Sequence, residues 1–99
     1  MICNDNPQAQ FGLGVIYIKG KYIKQDINKA IHYFSLSSDL NHPEAQFNLG
    51  LIYYDGKYIK RDINKAIHYF TLAANQNFTD AQVSLGMIYF DGSYISYKI

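Results

Sequence analysis

EAQFNLGLIYYDGKYIKRDINKAIHYFTLAANQN, residues 44–77, is the one complete copy of a unit that recurs through the 99-residue chain. Ala9, Ala45 and Ala81 recur at a spacing of about 36 residues, a period typical of stacked helical repeats. Leu13/Leu49/Leu85, Gly14/Gly50/Gly86, Tyr17/Tyr53/Tyr89 and Gly20/Gly56/Gly92 keep the same register. The repeat decides the fold class before propensities are weighed. Each unit hides its apolar face against the next, so the expectation is an all-α array of about two and a half units.

Within the unit, Ala9, Leu13, Ile16 and Tyr17 follow the i, i+4, i+7, i+8 spacing of one helical face. Asn6 is placed to cap this helix and Pro7 to open it, where the missing N–H costs nothing. Gly20 stands where a left-handed C-terminal cap is expected. The first helix, α1, is therefore expected over about 7–19. Asp26 offers an acceptor and a negative charge to the amides that open α2, expected over about 27–40, with Asn41 as its left-handed stop. The second copy repeats this, with His42 as the cap of α3 (about 43–54), and α4 over about 63–76, stopped by Asn77. The third supplies α5, from Thr79 to Gly92. The loops are short enough only for antiparallel neighbours. Lys98 then replaces the aspartate that opens a second helix in the first two copies. Apolar faces are thus expected to be open at both ends, as in a piece cut from a longer array; if the chain is complete, self-association through these open terminal helices is expected.

The unit resembles the Sel1-like repeat, a relative of the tetratricopeptide repeat with a slightly longer period. The residues that carry the resemblance are Ala45, Leu49-Gly50, Tyr53, Gly56, Ile59, Asp62, Lys65-Ala66, Tyr69, Ala73-Ala74 and Asn77. Three departures stand out: tyrosine (Tyr22, Tyr58, Tyr94) for a second loop glycine, Tyr33 and Tyr69 for tryptophan, and Asn41 and Asn77 for the closing glycine. Asparagine for glycine and tyrosine for tryptophan keep the physical role, whereas tyrosine for the loop glycine does not. The resemblance implies a right-handed α-solenoid spanning residues 1–99, with repeats at about 9–44, 45–80 and a partial third at 81–99. It also implies a non-catalytic scaffold or adaptor for protein complexes.

Comparing the copies with one another locates a candidate binding face. The invariant side of α1, α3 and α5 is expected to be core, and the variable positions fall opposite it. These are Gln8/Glu44/Asp80, Gly12/Asn48/Ser84, Val15/Leu51/Met87, Ile18/Tyr54/Phe90 and Lys19/Asp55/Asp91. The candidate partner-binding residues are Val15, Ile18, Asn48, Leu51, Tyr54, Asp55, Ser84, Met87, Phe90 and Asp91. They form an apolar ladder with an acidic rim, suited to a peptide with aliphatic anchors and a basic flank. Two plainer readings stand beside this one: the row packs against the next helix, or the whole array is a spacer in a longer polypeptide. If the row is free surface, Leu51→Glu and Tyr54→Ala leave thermal unfolding nearly unchanged.

Composition argues against other chemistries. The chain is 48% hydrophobic with a formal net charge of +1, which is globular and not built to bind polyanions. Lys21, Lys24, Lys57, Lys60 and Arg61, interleaved with Tyr22 and Tyr58, form a possible phosphate-and-stacking edge. The near-zero charge favours instead a solvated loop edge, with the tyrosines over the helix ends and no nucleic-acid partner. Cys3 alone supports no internal disulfide. His32 and His68, on successive repeats about 10 Å apart, are too distant to share a metal. No Ser/His/Asp set, CxxC, calcium loop or phosphate-binding glycine loop is present, so no enzyme activity and no cofactor are expected. Asn77-Phe78-Thr79 matches a glycosylation sequon that matters only in a secretory compartment. No apolar run approaches the roughly 20 residues of a membrane span, and the expected setting is cytoplasmic.

Overall fold

The computed structural model describes residues 6–92, apart from the side chain of Asp91. Five helices follow one another among the described residues: α1 (Pro7–Lys19), α2 (Ile27–Asp39), α3 (Pro43–Asp55), α4 (Ile63–Ala74) and α5 (Thr79–Asp91). Each packs on its sequence neighbours, α1 on α2, α2 on α3, α3 on α4 and α4 on α5. The result is an all-α solenoid of helix-turn-helix units.

The local signals explain where each helix begins and ends. Asn6 Oδ1 accepts from the amides of Gln8 and Ala9 at 2.9 and 3.1 Å. Asp26 and Asp62 each accept from the amide three residues on, at 3.0 and 3.1 Å, holding the free N–H groups that open α2 and α4. Gly20, Gly56 and Gly92 close α1, α3 and α5 with φ of 68°, 68° and 72°, a conformation that carries a steric penalty for any residue with a Cβ.

Asn41 and Asn77 adopt the same hand at 66° and 64°. Around them His42 N–H donates to Ser37 O and Phe78 N–H to Ala73 O, both at 3.2 Å. Asn41 and Asn77 donate to Ser38 O and Ala74 O, the paired bonds that close a helix through a left-handed residue. This tight closure ends α2 one residue and α4 two residues before the expected positions. His42 stands at the N-cap of α3 but makes no side-chain cap bond, against expectation. Its ring lies 5.1 Å from that of Phe11, and Nε2 sits 3.4 Å from Glu44 Oε1, too long for a well-formed hydrogen bond.

The core consists of two clusters, each built from the second helix of one unit and the first helix of the next. Ala30 and Phe34 of α2 meet Ala45, Leu49 and Ile52 of α3. Ala66, Phe70 and Ala73 of α4 meet Ala81 and Ile88 of α5. Phe34 and Phe70 are each 1% exposed, so burial of each ring contributes about 1.5–3 kcal/mol. Both rings lie directly on a helical glycine: a Cβ built on Gly14 would stand 2.6 Å from the Phe34 ring, and one on Gly50 2.5 Å from Phe70. Phe11 and Phe47 flank the same two rings at centroid distances of 5.8 and 5.6 Å.

Polar and aromatic side chains bind helix to helix, within units and between them. Gln46, buried, donates to Ser38 O at 3.2 Å and accepts from Gln76 Nε2 at 2.9 Å. Gln82 donates to Ala74 O at 3.2 Å in the equivalent place. Tyr17 stacks on Tyr33 and Tyr53 on Tyr69, at 5.9 and 6.0 Å. Of the side expected to be core, Ala45, Leu49 and Ile52 are buried and Tyr53 is half-buried; on α5 Ala81 and Ile88 remain buried while Tyr89 is 54% exposed.

Candidate partner-binding face

The first helices of the units, α1, α3 and α5, lie on one side of the stack, and two open grooves run between them. The groove between α1 and α3 has a volume of about 570 Å³. Its walls include Val15, Ile18 and Lys19 of α1 and Asn48, Leu51, Ile52 and Asp55 of α3. Phe34 forms its floor, and Lys21, Gln25 and Tyr58 border it from the loops. The groove between α3 and α5, about 180 Å³, is lined by Leu51, Tyr54 and Asp55 on one wall and Ser84, Met87 and Ile88 on the other, with Phe70 beneath. Leu51 and Asp55 belong to both, so the grooves share a ridge.

The predicted site residues are thus distributed as follows. Val15, Ile18, Asn48, Leu51 and Asp55 meet in the first groove, and Leu51, Tyr54, Asp55, Ser84 and Met87 in the second. Phe90 projects from α5 at 92% exposure, outside both grooves. Asp91 ends α5, and its side chain lies outside the described residues.

Two expectations require correction. Val15 and Ile18 are half-buried against the first core cluster, and Leu51 and Tyr54 against the second. The ladder is therefore both groove wall and outer layer of the core, and substitutions at Leu51 and Tyr54 alter stability as well as surface. Arg61 adds to this at Tyr54: its Nε donates to the Tyr54 carbonyl at 2.8 Å and its guanidinium lies 4.8 Å from the ring centroid. The second correction concerns charge. Lys19 and Lys21 join Asp55 around the first groove, so its rim carries both signs.

The basic loop edge is partly committed to intramolecular contacts. Lys21 and Lys57 lie over the rings of Tyr22 and Tyr58 at 5.4 and 5.2 Å, and Arg61 is held by Tyr54. Tyr22, expected over a helix end, is 78% exposed, and Tyr58 borders the first groove. His32 and His68 are exposed, edge-on to Tyr33 and Tyr69 at 5.1 and 5.0 Å. Among the described residues no three His, Cys, Asp or Glu side chains gather as metal ligands, and no helix is long and apolar enough to cross a membrane.

Tyr69, half-buried, stacks on Tyr53. Burial pushes its hydroxyl pKa above the usual 10.0, and the negative charge of Tyr53 and Asp39 adds to the effect.

Sequence reasoning missed the role of Gly14 and Gly50 as seats for Phe34 and Phe70. The signal was a glycine repeated at mid-helix, where it costs about 1 kcal/mol relative to alanine and so calls for a packing reason.

The Sel1 repeat family model matches residues 7–42, 43–78 and 79–97. A crystal structure of a Sel1 repeat protein from Oxalobacter formigenes is similar with a TM-score of 0.84 and 30% identity, over 90% of this chain and 36% of that one. The crystal structure of c5321, a protective antigen present in uropathogenic Escherichia coli strains and displaying an SLR fold, gives a TM-score of 0.82 and 34% identity. That match covers 87% of this chain and 18% of the antigen. No curated protein matches the chain significantly. The chain belongs to the Sel1 repeat family.

Proposed function

We propose that this Sel1-repeat chain, read as a single array over residues 1–99, is a non-catalytic scaffold that holds a peptide or protein partner along the grooves between α1, α3 and α5. The Sel1 repeat fold generally mediates protein–protein interaction, and the proposal narrows that role to one face. The observation that carries it is the coincidence of two independent features. Most of the side chains that α1, α3 and α5 give to the two open grooves stand at positions that differ between copies, with Ile52 and Ile88 the exceptions, while the invariant Ala45 and Leu49 lie in the core. Apolar walls with a mixed-charge rim fit an extended or helical segment with aliphatic anchors flanked by charges.

The test uses exposed groove residues. Met87→Glu and Asp55→Lys alter the grooves at side chains that are mostly in solvent, so thermal unfolding should shift by less than about 0.5 kcal/mol. A partner captured by the unmodified chain and lost by both variants supports the groove. Capture that neither variant disturbs places the partner elsewhere, and the absence of any specific capture favours a structural spacer.

A further inference from the structure

The groove between α1 and α3 carries opposite charges on opposite walls. Lys19 stands on the α1 wall, with Lys21 beside it in the following loop, and Asp55 stands on the α3 wall. All three are exposed, and among the described residues none of them forms an ion pair. The Lys21 ammonium lies 5.4 Å from the Tyr22 ring, a contact that leaves its charge in place. Between the charged walls the surface is apolar, built from Val15, Ile18, Leu51 and the Phe34 ring. Asn48 lines the same groove about two turns before Asp55, and among the described residues its carboxamide has no hydrogen-bond partner. Among the described residues that line the second groove, Asp55 is the only charge, so the two-signed arrangement belongs to the first.

We propose, resting on the groove reading above, that the first groove takes an extended peptide segment in which an acidic and a basic residue are neighbours in sequence beside aliphatic anchors. Charge complementarity specifies this occupant. Side chains of an extended segment alternate between opposite sides, so adjacent residues face opposite walls. An acidic side chain reaches Lys19 and Lys21 while the next residue, basic, reaches Asp55, and the segment bridges charges that the groove itself leaves apart. The aliphatic side chains bury on Val15, Ile18 and Leu51 above Phe34. An extended backbone also brings N–H and C=O groups that a helix would have used internally, and the Asn48 carboxamide both donates and accepts. A nucleic-acid strand would set its phosphates against Asp55, so the charges favour the peptide.

The experiment titrates the full chain, at low salt, with three acetylated and amidated peptides of the form Ser-Leu-Leu-X-X-Ser, where X-X is Glu-Lys, Glu-Glu or Lys-Lys, followed by NMR amide shifts. The Glu-Lys peptide should bind about threefold or more tightly than the other two, a preference that salt reduces as it does for exposed ion pairs. Its shifts should centre on Val15, Asn48 and Leu51. Asp55→Lys should turn the preference to Glu-Glu, and Lys19→Glu with Lys21→Glu should turn it to Lys-Lys. These side chains are exposed, so the thermal midpoint should hardly move in either variant. Equal affinity for the three peptides, with shifts still centred on the groove, overturns the charge rule and leaves the groove reading standing. Preferences that neither variant moves do the same. Binding whose shifts avoid Val15, Asn48 and Leu51, or no binding at about 1 mM peptide, overturns the proposal, and the groove reading then rests on partner capture with the Met87→Glu and Asp55→Lys variants. A single-stranded oligonucleotide that binds these residues more tightly than any of the peptides also overturns it.

Discussion

The same substitution at two equivalent positions should have opposite effects. Gly50→Ala and Gly86→Ala lie in matched settings, Leu-Gly-Leu-Ile and Leu-Gly-Met-Ile, each in the interior of a helix. Replacing a helical glycine with alanine gains about 1 kcal/mol in propensity at either site. At Gly86 nothing opposes that gain. At Gly50 the new methyl stands 2.5 Å from two carbons of the Phe70 ring, where carbon contacts are optimal at about 3.5–4.0 Å. The ring must retreat by about 1 Å toward Ala66, Ala73, Ala81 and Ile88, all at most 2% exposed, and such overpacking costs about 1–3 kcal/mol. Propensity cancels in the comparison, so the two variants should differ by about 1–3 kcal/mol, with Gly86→Ala the more stable.

Urea denaturation of the full chain, followed by far-UV circular dichroism, measures this difference directly. In a thermal melt of the same variants the midpoint temperatures should separate by roughly 10 °C, given about 4–8 °C per kcal/mol in a domain of this size. Gly14→Ala should behave like Gly50→Ala, because its methyl would stand 2.6 Å from Phe34. Adding Phe70→Leu to Gly50→Ala should recover part of the loss, a non-additivity expected only of residues in contact. If Gly50→Ala and Gly86→Ala shift stability equally and in the same direction, the seating of Phe70 on Gly50 is wrong.

Asp62→Ala should cost about 0.5–2 kcal/mol by freeing the Lys65 amide at the start of α4. Leu51→Glu should destabilise by about 1–3 kcal/mol, since a carboxylate would replace a side chain packed on the second cluster; a neutral effect by thermal denaturation would return this residue to free surface. The Tyr69 pKa is raised in the fold, so the folded state holds its proton where the unfolded chain releases it. The stability this confers is complete below the ordinary tyrosine value of 10.0 and is lost as pH rises through the higher folded value. Tyr69→Phe should therefore reduce the alkaline loss of stability in a pH series of denaturation curves.

The helix boundaries were legible because their causes are local. Asn6, Asp26 and Asp62 act within three residues of themselves, and Gly20, Gly56, Asn41 and Asn77 act through their own φ. What could not be read was whatever depends on a neighbour far along the chain. Gln76 bonds Gln46 across 30 residues, and no spacing rule within one helix announces that bond. His42 has a residue type able to cap, but its ring faces Phe11 instead. The variable face was visible as the side opposite the invariant one. Its double duty at Leu51 was not, because a helix wheel separates core from surface by angle and takes no account of the next unit.

That double duty has a structural origin. Phe34 and Phe70 are core rings, yet they also form the floors of the two grooves. Each groove exists because α2 or α4 inserts an aromatic ring against the glycine of the preceding helix and leaves the first helices of adjacent units apart above it. The glycine therefore bears on the shape of the groove as well as on the closeness of the helix pair, because a residue with a Cβ there would displace the ring that lines the groove. A partner lying in these grooves reads Phe34 and Phe70 indirectly, through the height at which Val15, Leu51 and Met87 stand around them. Among the described residues no ring lies on Gly86.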